Sequence, residues 1–162
     1  MKNMANTYTQ MIVQLVFAVQ GRQNLIKSNN RDELEKYICG VINNQNCKPL
    51  TLYCNPDHVH ILIGLHPAKA VSDLVREIKT ASTNFINTKN WIHNKFNWQL
   101  GFGAFTYSKK DIDHVVKYIL NQAEHHRKRT FEEEYISLLK DFEIEYNSLY
   151  LFDWIDLSDL YE

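Results

Sequence analysis

The order in which strand-type and helix-type segments follow one another is the feature that most limits the fold of this chain. Residues 10–19 are rich in β-branched and aromatic side chains and predict a first strand. Residues 30–44 carry apolar side chains three and four positions apart, which predicts an amphipathic helix. Residues 50–54 and the apolar run after His58 predict two further strands, joined as a hairpin by the short turn at residues 55–57.

The second half of the chain continues this alternation. Ser72 starts a second predicted helix, and the aromatic segment 96–107 ends in a fourth strand. Within that segment, two glycines predict a turn or a close approach of the backbone: Gly101 and Gly103. Two capping boxes, in which a hydroxyl residue precedes a carboxylate by three positions, predict a third helix from Ser108 to about His126 and a fourth helix from Thr130.

The resulting order of strand, helix, strand, strand, helix, strand and helix predicts an α+β fold. It fits a ferredoxin-like or RRM-like βαββαβ antiparallel sheet with helices on one face plus C-terminal helices. In such a layer the second face of the sheet is free for a ligand. Because the chain contains no internal repeat and no Gly/Ser linker, we expect residues 1–162 to form a single domain, with an acidic C-terminal extension over about residues 131–162.

Composition favours a protein of the cytoplasm. The longest apolar stretch near the start, residues 11–19, is interrupted by Gln14 and is too short to span a bilayer, and no secretion leader precedes it. The three cysteines form no Cys-x-x-Cys pair, which is typical of reduced thiols. We therefore expect a soluble, cytoplasmic protein with no membrane partner.

The formal net charge of −1 hides an uneven distribution of charge. Residues 1–130 contain 17 basic and 9 acidic residues, whereas residues 131–162 contain 1 and 10. A basic body of this kind suits a polyphosphate partner such as DNA, although solvated faces explain the same pattern. The cluster of basic residues at 125–129 has the same two interpretations, as a phosphate contact or as a solvated helix end.

A pair of histidines marks the predicted third strand. His58 and His60 flank Val59, so their side chains point to the same face of the strand, roughly 7 Å apart. Imidazole is a common ligand of catalytic metals, and two imidazoles on one face can share a divalent cation. The alternative is a pair of half-exposed strand histidines without a ligand.

A second pair of polar side chains lies on the predicted third helix. Tyr118 and Gln122 are four residues apart, so they lie on one face of the helix about one turn from each other. A tyrosine at the edge of the core and a solvated glutamine would produce the same pattern. In combination with His58 and His60, however, the two residues supply one nucleophile and a third potential ligand for a single cation.

These residues resemble the single-tyrosine transposases of the HUH superfamily. Residues 57–62 are similar to the metal-binding strand of that family, residues 98–107 to its aromatic, glycine-containing segment, and residues 118–122 to its tyrosine-to-glutamine helix. Residues 121–135 resemble one widespread branch, and the whole similarity runs from about residue 7 to residue 154. The chain therefore resembles an insertion-sequence transposase of the kind that includes the REP-associated tyrosine transposases.

The resemblance implies a complete enzyme mechanism. It implies that His58, His60 and Gln122 bind a divalent metal, Mg²⁺ or Mn²⁺, and that Tyr118 attacks DNA to form a 5′-phosphotyrosine intermediate. The resemblance also implies that DNA is nicked and rejoined without ATP. The implied partners are single-stranded DNA that carries a hairpin and a second copy of the chain, in a homodimer whose active sites are completed across subunits.

Three other functions are compatible with parts of the sequence. A domesticated relative would use the same chemistry on repeated palindromes of its host. A non-catalytic RRM-like module would bind nucleic acid without cutting it, although the first and third strands lack the paired aromatic platform expected of such modules. A metal hydrolase would use activated water, but no carboxylate accompanies the histidine pair at ligand spacing in the sequence.

Overall fold

The computed structural model describes residues 6–151. Its four strands are β1 (Ile12–Ala18), β2 (Lys48–Cys54), β3 (His58–Gly64) and β4 (Gly103–Tyr107). Its five α-helices are α1 (Ser28–Asn44), α2 (Val71–Lys89), α3 (Ile112–Leu120), α4 (Gln122–Lys128) and α5 (Phe131–Asp141). Short 3₁₀ turns lie at Gln20–Arg22 and Lys109–Asp111.

The four strands form one antiparallel sheet in the order β2-β3-β1-β4. This order and the βαββαβ connections confirm the predicted α+β, ferredoxin-like fold. The histidine strand β3 lies inside the sheet, where His60 is opposite Val16 of β1 and Tyr53 of β2. Because β3 is paired on both sides, the backbone that carries the two histidines is held firmly in register.

The two central strands alternate side chains between two cores. On one face, Val13, Leu15 and Phe17 of β1 pack with the buried side chains of α1 and α2. Each helix contributes an apolar stripe to that core. The buried residues of the two stripes are Leu34, Ile38 and Ile42 of α1 and Leu74, Val75, Ile78 and Ile86 of α2. This arrangement confirms that the first two helices share one face of the sheet.

The opposite face of the sheet is covered, whereas the sequence predicted a face free for a ligand. Val115 and Ile119 of α3 pack on Leu62 and Ile12. The N-terminal half of α5 covers the neighbouring part of the sheet through Phe131. The prediction of a free face was wrong because α3 and α5 each carry an apolar stripe that must be buried. The histidines of β3 point towards this covered face.

Two local predictions about the C-terminal helices were wrong: the helix cap at Ser108 and the unbroken helix to His126. Ser108 does not cap a helix: its hydroxyl donates to the Asp111 carboxylate at 2.9 Å, and a 3₁₀ turn follows. The predicted helix to His126 is divided at Asn121, whose φ of −97° and ψ of 22° separate α3 from α4. At Thr130, in contrast, both bonds of the predicted capping box are present.

The segments on either side of β4 lie against the second core. Gly101 has a φ of +83°, as its predicted turn requires, and a Cβ at Gly103 would lie 2.8 Å from the Tyr135 ring. After α5, Phe142 packs on Phe105, and the Gln99 amide donates to the Leu151 carbonyl at 2.9 Å. The sequence also predicts docking of the rest of the tail, at residues 152–162, which lies outside the described residues.

Two of the three cysteines, Cys47 and Cys54, are buried. Cys39, Cys47 and Cys54 are free thiols. Within residues 6–151, no helix combines the length and the apolar character needed to cross a membrane.

Candidate active site

Four side chains of types that can bind a metal converge on the covered face of the sheet. His58 and His60 come from β3, His126 from α4 and Glu134 from α5, and their ligand atoms all lie within 4.8 Å of one another. His58, His60 and Glu134 are at most 1% exposed, and the His126 side chain is 20% exposed. We call these four residues the His-Glu cluster.

Glu134 is the centre of the cluster. Its Oε1 atom lies 2.8 Å from His60 Nε2, 3.3 Å from His126 Nε2 and 3.4 Å from His58 Nε2. Its Oε2 atom accepts hydrogen bonds from the Tyr118 hydroxyl and, at 3.1 Å, from the Gln122 amide. One oxygen of the carboxylate therefore faces the imidazoles, while the other holds the tyrosine.

The cluster shifts the pKa values of its members in different directions. Burial raises the pKa of Glu134, but hydrogen bonds from His126, His58 and His60 outweigh burial and hold that pKa well below its usual range. Burial lowers the pKa of His60. Burial acts in the same direction on His58, but its hydrogen bonds to Asp57 and Glu134 prevail and raise the pKa. Glu134 is thus a buried carboxylate that stays ionised.

The hydrogen-bond pattern of two histidines fits a bound cation. His58 Nδ1 donates to Asp57 Oδ1 at 2.6 Å, and His126 Nδ1 donates to the Arg129 carbonyl at 3.1 Å. In the neutral imidazoles, each Nε2 then presents a lone pair towards Glu134 Oε1, which is also an acceptor. A cation between these atoms would satisfy all of them, and carboxylate oxygen with imidazole nitrogen is a donor set that divalent metals use.

His60 is held by a relay of buried polar groups that runs across the sheet. The Tyr107 hydroxyl donates to Gln14 Oε1 at 2.6 Å, and Gln14 Nε2 donates to His60 Nδ1 at 2.8 Å. Gln14 is fully buried on β1, and burial raises the pKa of Tyr107 to about 12. The relay fixes the orientation of the His60 ring.

Gln122 reaches the same cluster and is fully buried. Its Oε1 atom accepts from Asn55 Nδ2 at 3.1 Å and lies 3.0 Å from His126 Nε2. The Asn55 amide also lies 3.1 Å from His58 Nε2. Asn55 is 2% exposed in the β2–β3 turn and joins the helix glutamine to the strand histidine.

Tyr118 stands at the edge of the cluster. Its ring centroid is 6.0 Å from that of His60, and its hydroxyl donates to Glu134 Oε2. Burial and the negative charge of Glu134 raise the pKa of Tyr118 well above its ordinary value, although hydrogen bonds with Arg129 and Gln122 act in the opposite direction. The phenol is consequently protonated at neutral pH in the metal-free protein.

The structure brings together the four residues that the sequence singled out. Tyr118, His58, His60 and Gln122 meet within one chain. Sequence reasoning missed Glu134 as a member of the site. Its presence also removes the argument that no carboxylate accompanies the histidine pair.

Comparisons with known proteins agree on a family of DNA-processing enzymes. The family model for IS200-like transposases matches residues 7–122. The ISDra2 transposase TnpA of Deinococcus radiodurans is 25% identical over 120 residues, which cover 70% of this chain and 84% of that protein.

Two solved structures share the fold. One, described as a transposase from Deinococcus radiodurans, has a TM-score of 0.60 at 22% identity and covers 75% of this chain and 98% of that one. The other is a REP-associated tyrosine transposase bound to a REP hairpin. It has a TM-score of 0.57 at 20% identity and covers 78% of this chain and 74% of that one.

Proposed function

The chain belongs to the family of IS200-like transposases, and we propose that it cuts and rejoins single-stranded DNA through a covalent bond to Tyr118. The observation that carries this proposal is the contact between the nucleophile and the His-Glu cluster: the Tyr118 hydroxyl donates to the same carboxylate that faces three imidazoles. A nucleophile beside a candidate metal site is the arrangement that phosphodiester cleavage by tyrosine requires.

The proposed reaction is an exchange of one phosphodiester for another. The phenol oxygen of Tyr118 attacks the phosphorus, its proton passes by way of Glu134 Oε2 to water, and an O–P bond forms as the bond from phosphorus to the 3′ oxygen breaks. The 3′ oxygen leaves with the electron pair and takes up a proton from water. The product is a 5′-phosphotyrosine, which keeps the energy of the bond, so that rejoining needs no ATP. Phenoxide leaves readily when a 3′ hydroxyl attacks in turn.

We assign the metal to His58, His60 and Gln122, and His126 and Glu134 lie close enough to join them. A bound divalent cation would offset the negative charge of the phosphate and of the departing oxygen. Of Mg²⁺ and Mn²⁺, the imidazole-rich donor set favours Mn²⁺. The Tyr107–Gln14 relay keeps His60 oriented, and Asp57 keeps His58 oriented.

We further propose the partners and the place of action. A structural relative is bound to a REP hairpin, and hairpin-bearing single-stranded DNA is the substrate class we propose here. We propose a homodimer in which each Tyr118 acts beside the histidines of its own chain, because the contact is present within one chain. The free thiols accord with action in the cytoplasm.

Covalent trapping tests this function. The wild-type protein and Tyr118→Phe are incubated with Mg²⁺ or Mn²⁺ and single-stranded DNA taken from both sides of the gene, and the products are separated under denaturing conditions. We expect a protein–DNA adduct with the wild type only. Adduct formation by both proteins, or by neither, contradicts the role assigned to Tyr118.

The same experiment separates the alternatives. DNA cleavage by Tyr118→Phe without an adduct would indicate a metal hydrolase that uses water, a reaction for which Glu134 and the histidines also provide ligands. Binding without cleavage by the wild type would indicate a nucleic-acid-binding module. A domesticated relative would form the same adduct, but with repeated palindromes elsewhere in the genome rather than with DNA beside its own gene.

A further inference from the structure

A cavity opens beside Tyr118. It lies between α3, β4 and α5 and has a volume of about 350 Å³. Its lining includes Tyr118, His114, Arg129, Ser137, Asp141 and Tyr107. Its volume lies within the range of pockets that hold small ligands. The cavity therefore gives a ligand access to the phenol that is held at the edge of the His-Glu cluster.

Arg129 joins this cavity to both halves of the site. Its side chain lines the cavity together with Tyr118 and acts to lower the pKa of that phenol, while its carbonyl accepts from His126 Nδ1 at 3.1 Å. Among residues 6–151, no carboxylate forms an ion pair with Arg129, whereas Arg22, Arg31, Arg76 and Arg127 each pair with one. A half-buried guanidinium beside the nucleophile is thus available to an anion.

The charges around the cavity favour the binding of an anion at one of its ends. His114 lies one helical turn before Tyr118 and also lines the cavity. Asp141 lies on the far wall, close enough to Tyr107 to raise the pKa of that phenol. It follows Glu134 by seven residues, which is about 10 Å along α5. An anion is therefore expected at the end formed by Arg129 and Tyr118.

We propose that this cavity binds the phosphodiester that Tyr118 attacks, with the Arg129 guanidinium holding its non-bridging oxygens. The inference rests on the proposed function and adds the residue that places the phosphate against the phenol. Arginine suits this role because its planar fork can donate two parallel hydrogen bonds to phosphate and stays charged at any physiological pH.

Three variants test the proposal: Arg129→Gln, Arg129→Lys and, as a matched control, Arg76→Gln. Arg76 is an exposed arginine of α2, on the opposite side of the sheet, and pairs with Asp73. Substitution at 129 leaves the backbone carbonyl that orients His126 in place. Melting temperature and Mn²⁺ affinity, measured by calorimetry, should therefore stay at wild-type values in all three.

The readouts are affinity for single-stranded DNA in EDTA, as a function of salt, and the rate of adduct formation with Mn²⁺. Arg129→Gln should weaken DNA binding and slow adduct formation roughly 10- to 100-fold, with a salt slope about one unit shallower. Arg129→Lys should recover part of the loss, and Arg76→Gln should differ from the wild type by less than about twofold. A single neutral methylphosphonate at the cleaved position should abolish the difference in binding between the wild type and Arg129→Gln.

The outcomes separate this inference from the proposed function. If the wild type forms the adduct and Arg129→Gln matches Arg76→Gln in binding and rate, the phosphate site is wrong and the function stands. If no adduct forms with any protein but Arg129→Gln alone loses DNA affinity, the cavity binds phosphate and the covalent chemistry is wrong. If Arg129→Gln loses Mn²⁺ affinity or melts early, Arg129 is a structural residue and the inference is overturned.

Discussion

A fully buried carboxylate that faces three imidazoles needs positive charge nearby, and Glu134 is in that position. Hydrogen bonds from His126, His58 and His60 stabilise the ionised carboxylate. A divalent cation would also supply positive charge there, since carboxylate oxygen and imidazole nitrogen are the ligand atoms that the cluster offers. Glu134 consequently connects two properties of the site, since the same side chain also holds the Tyr118 hydroxyl.

The first prediction concerns metal affinity. Glu134→Gln removes the negative charge while keeping the shape, so we expect Mn²⁺ affinity to fall by at least roughly 100-fold, the upper end of what outer-shell substitutions cost. Isothermal titration calorimetry measures the affinity. Glu124→Gln, at an exposed glutamate paired with Arg127, is the control and should bind like the wild type. Equal affinity of Glu134→Gln and the control would exclude Glu134 from the metal site.

The second prediction concerns the pH dependence of Tyr118. Its pKa is raised in the folded protein, so above pH ~10, where an unfolded tyrosine ionises, the folded state retains the proton. The unfolding free energy of the wild type should therefore fall with rising pH above ~10 more steeply than that of Tyr118→Phe. Urea denaturation of the two proteins at a series of alkaline pH values measures the difference. Parallel pH profiles would show that Tyr118 ionises normally.

Two pairs of site residues could be identified from the sequence because spacing alone places each pair on one face of its element. These pairs are His58 with His60 on a strand and Tyr118 with Gln122 on a helix. Glu134 could not be identified in this way, since it comes from a different helix and meets His58 only through the tertiary fold. A signal was present nevertheless: Glu134 lies three residues after Phe131 and four before Leu138, in the buried stripe of α5. An acidic residue within an apolar stripe needs a buried partner, as does Gln14 within the apolar strand β1.

The third prediction concerns the two capping boxes expected from the sequence. The one at Thr130 is formed at the start of α5, whereas the one at Ser108 is not. Thr130→Ala removes a formed capping box from α5 and should lower the unfolding free energy by about 1 kcal/mol. Ser108→Ala removes only an exposed bond to Asp111 and should change it by less than about 0.5 kcal/mol. Chemical denaturation of both variants measures the difference. Equal losses would mean that the Thr130 cap does not stabilise α5.

The positions of the strands and helices could be predicted from the sequence. Apolar side chains recur every two residues in a half-buried strand and about every 3.6 residues in a half-buried helix. The sequence did not predict that α3 and α5 cover the second face of the sheet. An apolar stripe indicates that one side of a helix is buried, but not which surface it packs against. The break at Asn121 also lacks a local signal: no proline or glycine marks it. It nevertheless turns the chain so that Gln122 and His126 of α4 both face the cluster.

For the whole molecule, the fourth prediction concerns whether the active site is assembled within one chain. His58→Ala lacks a cluster residue and Tyr118→Phe lacks the nucleophile. Because the two residues meet through Glu134 within a single chain, a mixture of the two variants should form no more adduct than either alone. The mixture is refolded together so that subunits exchange. Restored adduct formation would instead require a tyrosine that acts on the histidines of a partner subunit.

The central claim is that a metal-dependent covalent bond forms between DNA and the Tyr118 oxygen. Its most direct measurement is mass spectrometry of peptides from the nuclease-digested protein–DNA adduct, prepared with Mn²⁺ and with EDTA. We predict a nucleotide attached through its 5′ phosphate to the peptide containing Tyr118, in the Mn²⁺ sample only. A nucleotide on any other residue, or the same yield in EDTA, would contradict it.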